Sequence, residues 1–104
     1  MGYVEVEQFT LVDGIDAHEF ARRDTALQRW SYVHRRGLVR RTTALADDGG
    51  VLVLTVFGGA SAPTPAATED SGEEPLASFT AAIDPASYRR AVYRDLDGAT
   101  AGRG

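Results

Sequence analysis

The 104-residue sequence has no cysteine and no lysine; its eleven basic residues are all arginine. Without cysteine there is no disulfide framework, no thiolate nucleophile and no thiolate metal site. Without lysine, a side-chain Schiff base is excluded. No apolar run approaches the roughly 20 residues that a membrane helix needs, and the N-terminus lacks a signal-peptide pattern. The expected compartment is therefore the cytoplasm. Positive charge is also in deficit. Fifteen acidic residues give a formal charge of −4, whereas nucleic-acid binding needs a net basic surface.

What is present is an ordinary globular composition, 43% hydrophobic, of a length that suits one domain. Residues Tyr3 to Leu11 read as a strand ending at Asp13-Gly14. A helix is expected from Ala17 to Arg36. Asp16 stands at its N-cap, Glu19 completes a capping box, and Ile15 is placed to staple against Phe20. Arg35 and Arg36 complement the macrodipole at the far end, and Gly37 suits a left-handed C′ position. Strands follow at Leu38 to Ala46 and Val51 to Phe57, joined by an Asp47-Asp48-Gly49-Gly50 hairpin. The polar, small-residue segment from Gly58 to Glu74 reads as a loop, a candidate lid. A second helix opens at Glu74-Pro75 with Leu76, Phe79 and Ile83 on one face, and a last strand runs from Tyr88 to Leu96. The domain is expected to span 1–97, with 98–104 a disordered tail.

The order β-α-β-β-α-β predicts an α+β, ferredoxin-like sandwich whose antiparallel sheet carries both helices on one face. Val51, Val53, Thr55 and Phe57 occupy one face of the third strand, and Leu52, Leu54 and Val56 the other. Two helices cover only one face, so a second copy of the chain is expected on the other, giving a homodimer.

The stretches Phe9-Thr10-Leu11, Gly14-Ile15-Asp16 and Glu19-Phe20, and Gly37-Leu38-Val39-Arg40-Arg41-Thr42-Thr43 before the hairpin, resemble the dimeric α+β barrel superfamily. The likeness runs over residues 3 to 96. It is greatest to small actinobacterial members of the antibiotic-biosynthesis-monooxygenase-like group, whose first helix carries an Asp and a Gln one turn apart, as Asp24 and Gln28 do here. This sequence departs from them in placing His34-Arg35-Arg36 before Gly37 and Phe57 where many have Trp. The resemblance implies a dimeric barrel and a cofactor-independent enzyme of antibiotic- or polyketide-like metabolism. That enzyme would cyclise, dehydrate or oxygenate a small, partly apolar molecule in a pocket between sheet and helices. The alternatives are a non-catalytic small-molecule-binding protein of the same fold and, third, a haem-binding or haem-degrading protein.

Phe20, Asp24, Leu27, Gln28, Ser31 and His34 recur at helical spacing, so one face carries both apolar and polar groups toward the sheet. Four buried polar side chains must find partners or line a wet pocket. His34 suits proton transfer near neutral pH, or equally a helix C-terminal cation. The expected site therefore has His34 and Asp24 as catalytic residues. Gln28, Ser31, Trp30, Arg40, Phe57 and Phe79 are expected to contact the substrate, and no metal or cofactor is expected. Glu5 and Glu7 share a face of the first strand; cross-strand pairing with Arg89, Arg90 or Arg94 is the favoured account, and paired carboxylates for acid/base or metal chemistry are the alternative, lacking a histidine at ligand spacing.

Overall fold

Strand β1 (Gly2–Thr10) runs up the middle of a four-stranded sheet and is followed by helix α1 (Ala17–His34), strands β2 (Leu38–Leu45) and β3 (Gly50–Gly58), helix α2 (Glu74–Ala81), a single 3₁₀ turn (Pro85–Ser87) and strand β4 (Arg89–Asp95). This is a computed structural model, describing residues 2–59, 61–65 and 73–96. The strand order is β2-β3-β1-β4, and every adjacent pair is antiparallel. That order is the ferredoxin-like arrangement the sequence predicts. The proposed tail at 98–104, and residues 60 and 66–72 of the proposed lid, lie outside the described residues.

The local signals act as read, with three adjustments. Asp16 caps α1, accepting from the Glu19 amide at 2.8 Å. Glu19 does not reciprocate; its carboxylate binds Arg22 and Arg23 instead. The helix ends at His34 rather than Arg36, because Arg35 is extended (φ −92°, ψ 109°) and turns the chain toward the sheet. Tyr88 closes the 3₁₀ turn and so precedes β4.

Alternation along the strands decides what faces the helices. The register sets Glu5 opposite Thr55 and Glu7 opposite Val53 on one side, and Glu7 opposite Arg90 on the other. A bulge between Leu38 and Arg40 then resolves the arginine pair of β2. Arg41 faces Thr55 and is buried, whereas Arg40 is opposite Val56 on the outer face and exposed. The expected substrate contact from Arg40 is thereby removed, and Arg41 takes the inner position.

The apolar core fills one half of the space under the helices. Phe9, Val51 and Val53 from the sheet meet Phe20, Leu27 and Trp30 of α1 and Leu76, Phe79 and Ala82 around α2. Phe9 packs edge-on against Phe20 and Phe79, with centroids 6.1 and 5.8 Å away. Trp30 is only 6% exposed, a core residue rather than one at the helix edge.

Gly37 leaves the helix at φ +80°, and a Cβ there would stand 2.6 Å from the Gly58 carbonyl oxygen. Gly49 has a similar angle (φ +92°) but open space around it. Gly49→Ala should cost about 1 kcal/mol, the backbone cost alone, and Gly37→Ala distinctly more, about 2–3 kcal/mol. Urea denaturation of the two variants measures the difference; equal losses would remove the steric role of Gly37.

Candidate functional site

A polar cluster and a cavity occupy the other half of the inner layer. Glu5 is 1% exposed at the centre of the sheet. The turn at Arg35 brings that side chain beneath the helix, where Nη1 and Nη2 donate to the two Glu5 carboxylate oxygens at 2.8 and 3.1 Å. Arg90, next to β1 on β4, adds Nε to Glu5 Oε2 at 2.8 Å. A strap of chain at 61–65 crosses the same cluster. Its Thr64 carbonyl accepts from Arg35 at 2.7 Å, and its Pro63 carbonyl from Arg90 at 3.0 Å. The cross-strand pairing expected for Glu5 is present through Arg90; Arg35 is the partner that sequence reading missed.

Beside this cluster lies a cavity of about 340 Å³ between sheet and helices, within the range of small-molecule sites. Leu27, Leu76, Phe79 and Ile83 supply apolar walls, and Glu7, Ser31, Arg35, Arg41, Tyr88 and Arg90 the polar ones. Tyr88 is brought there by the turn before β4. The Asp84 amide donates to the Thr10 carbonyl, the Thr10 amide donates to Ser87 Oγ, and the Tyr88 ring stacks on Phe9. Its hydroxyl then donates to Glu7 Oε2 at 2.5 Å.

Glu5 and Glu7 are two residues apart on one face, yet they are pushed in opposite directions. Burial raises both, but for Glu5 the hydrogen bonds and charges of Arg35 and then Arg90 outweigh it, leaving the carboxyl below its ordinary value. For Glu7, burial prevails over the Tyr88 hydrogen bond, and the neighbouring Glu5 charge adds to it; its carboxyl is held above the ordinary value. Burial, followed by the bond to Glu7, pushes the Tyr88 phenol up as well, so it remains a donor.

Of the residues expected from sequence, Ser31 and Phe79 line the cavity. Asp24 is half-buried behind it, where Oδ1 accepts from Thr43 Oγ1 at 2.8 Å and pairs with Arg41 Nη1 at 2.8 Å. Trp30 is in the core. Phe57 lies under the Arg35 guanidinium, 4.8 Å from ring centroid to Cζ, and faces a separate cleft. Gln28 is half-buried away from the cavity wall. His34 is exposed at the last helical position, stacked on Trp30, with Nδ1 3.0 Å from the Trp30 carbonyl. A carbonyl accepts only, so Nδ1 carries the proton and adds a second donor to a carbonyl of the last helical turn. The structure thus brings Glu7, Tyr88, Ser31, Arg41 and Phe79 together, with Asp24 behind Arg41 and His34 apart from them. The shared face of Glu5, Glu7 and Phe9 on β1 was the available signal for the site.

This molecule is a ferredoxin-like α+β protein with a cavity between sheet and helices. No family model matches the chain, and no curated protein does. Among solved structures it is similar to the crystal structure of SnoaB, a cofactor-independent oxygenase from Streptomyces nogalater. The TM-score is 0.58 over 90% of this chain and 92% of that one, at 14% identity. A likeness at that identity establishes the shared fold.

The opposite displacements of Glu5 and Glu7 have a pH signature. A depressed carboxyl stabilises the fold above the unfolded value, about 4.5, and that stability is lost as pH falls through the lower, folded value. A raised carboxyl does the reverse. Its contribution is full below 4.5 and is lost as pH rises through the higher, folded value. Glu7→Gln should therefore flatten the stability profile just above pH 4.5, and Glu5→Gln below it. Glu5→Gln should also cost about 3 kcal/mol near neutrality, because it strands the buried Arg35 and the half-buried Arg90 without their counter-charge. Urea titrations across pH 3–7 check both signs.

Proposed function

We propose that this chain is a cofactor-independent enzyme that removes a proton from a carbon acid, on a small and partly apolar molecule held in the cavity. The observation that carries this reading is the Glu7–Tyr88 pair on the cavity wall. A carboxylate whose proton affinity is raised by burial is a stronger base than an exposed glutamate. The C–H bond breaks, the proton passes to the Glu7 carboxylate, and the electron pair moves to the carbonyl oxygen of an enolate. Tyr88 keeps the carboxylate oriented by donating to Oε2. The enolate is the common start of the three outcomes the family resemblance implies: it closes on an internal electrophile, expels a β-hydroxyl as water, or reduces dioxygen. The last agrees with the activity of SnoaB, a cofactor-independent oxygenase. The fold likeness supports an enzyme of this kind; it does not select among the outcomes.

2-Tetralone, an uncharged bicyclic carbon acid, serves as probe. Its exchange in D₂O, followed by NMR, should be accelerated by the wild-type protein, with an ascending pH limb displaced above 4.5. Glu7→Gln should lower the rate about 10²-fold or more, and His34→Ala should leave it unchanged. Loss of exchange in His34→Ala with Glu7→Gln unaffected would return the proton transfer to His34. Binding of the probe without exchange would make the chain a binding protein.

The assembly belongs to the same reading. Val4, Val6, Leu52, Leu54 and Val56 share the sheet face opposite the helices, with exposed Tyr93 beside them. This apolar face supports a homodimer of sheet on sheet. Light scattering should find a dimer for the wild type and a monomer for Leu54→Glu, in which a charge replaces the centre of that face. A monomeric wild type would overturn the pairing.

A further inference from the structure

The cavity carries three arginines on its wall, more than the proton-transfer step itself uses. Arg35, Arg41 and Arg90 all line it. Their carboxylate partners are Glu5, shared between Arg35 and Arg90, and Asp24, paired with Arg41. The remaining carboxyl on the wall, Glu7, is engaged by Tyr88. Three guanidinium groups thus stand against two ion-pairing carboxylates. Glu7, within electrostatic reach of Arg35 and Arg41, balances the third guanidinium while it is ionised; once it has taken up a proton, one positive charge in the layer is left for the ligand to meet.

The three arginines are not equally available. Arg35 is engaged on both terminal nitrogens, by Glu5 and the Thr64 carbonyl. Arg90 likewise gives Nε to Glu5 and Nη2 to the Pro63 carbonyl. Arg41 differs. Its side chain is 3% exposed, and Nη1 lies 2.8 Å from Asp24 Oδ1 but off the hydrogen-bonding axis. That buried nitrogen has no hydrogen-bond acceptor among the described residues. Its guanidinium also lies 5.5 Å from the centre of the Phe79 ring, another wall of the cavity. A buried guanidinium with unmet donors, beside an aromatic wall, suits an oxyanion carried on a flat ring.

We propose that the ligand of this cavity is a monoanionic aromatic acid, its oxyanion received by Arg41 and its ring lying along Phe79 and Leu76. This rests on the cavity being the ligand site, and it adds the charge of the ligand and the residue that selects it. Asp24 is then a competitor: it holds Arg41 in place in the free protein and yields part of the guanidinium when the anion arrives.

The test uses 2-naphthoate and 2-naphthamide, which share a shape and differ in charge, with dissociation constants from isothermal titration calorimetry. The wild type should bind the naphthoate at least about tenfold more tightly, the strength of a charge-assisted hydrogen bond. Arg41→Gln should abolish that preference, whereas Arg29→Gln, an exposed arginine on α1, should keep it. Asp24→Asn should tighten naphthoate binding several-fold, a change of sign that a purely structural Arg41–Asp24 pair would not give. Equal affinity for the two probes in the wild type would overturn the proposal. So would a preference that survives Arg41→Gln, or weaker naphthoate binding in Asp24→Asn. Because 2-tetralone is neutral, a failure of proton exchange and a failure of anion selection are read separately.

Discussion

A carboxylate buried in the middle of a β-sheet is tenable only when cations reach it, and Glu5 is reached from two directions. Arg90 comes from the neighbouring strand and needs the β1–β4 register as it stands. Arg35 comes from the end of α1, and it arrives because the helix stops at His34 and the next residue is extended. The strap at 61–65 then gives its carbonyls to the remaining guanidinium donors. Sheet, helix end and loop are thus tied through one carboxylate, and the ties end on backbone carbonyls of the strap. The cavity follows from the same cluster. Long polar side chains bonded to one another do not close the layer as Phe9, Phe20 and Phe79 do at its other end.

Two glutamates on one face of one strand illustrate how position divides chemical roles. Glu5 is surrounded by guanidinium and stays ionised; it organises. Glu7, one pleat along, meets a phenol instead and is held toward its neutral form by burial. Environments that drive paired titratable groups apart are what separate a fixed charge from a group able to exchange protons. Neither role depends on the residue type, since both are glutamate.

The element order, the Asp16 cap, the positive φ of Gly37 and the inward polar character of the site were legible from residue pattern alone. The identity of the site residues was less so. Helical spacing places His34 on the same stripe as Phe20 and Leu27, but it cannot show that a terminal imidazole folds back onto the Trp30 carbonyl. Nor can it show that Arg35, read as a partner of the macrodipole, leaves the helix and enters the sheet. Alternation said that Arg40 and Arg41 point opposite ways; only the bulge at Leu38/Arg40 decides which is inside. In each case the deciding quantity is a backbone turn of one residue, which side-chain periodicity does not encode.

The distribution of polarity across the sheet runs against what stability alone would select. The helix-covered face holds Glu5, Glu7, Arg41, Thr43, Thr55 and Arg90 beside its apolar half, while the opposite face holds Val4, Val6, Leu52, Leu54 and Val56. Buried polar groups are close to neutral for stability even when fully paired, and costly when they are not. Thr55 Oγ1 and Arg41 Nη1 are buried without hydrogen-bond partners among the described residues. A chain under selection only to fold would place Leu or Val at these positions, as at Val53 on β3 and at Val4, Val6, Leu52, Leu54 and Val56 on the other face. Unmet polar atoms at Thr55 and Arg41, in a layer that apolar residues could fill, support the reading of this half of the layer as the ligand site. The apolar outer face supplies the compensation: paired with a second copy it would bury the hydrophobic area that the inner face has given up to charge.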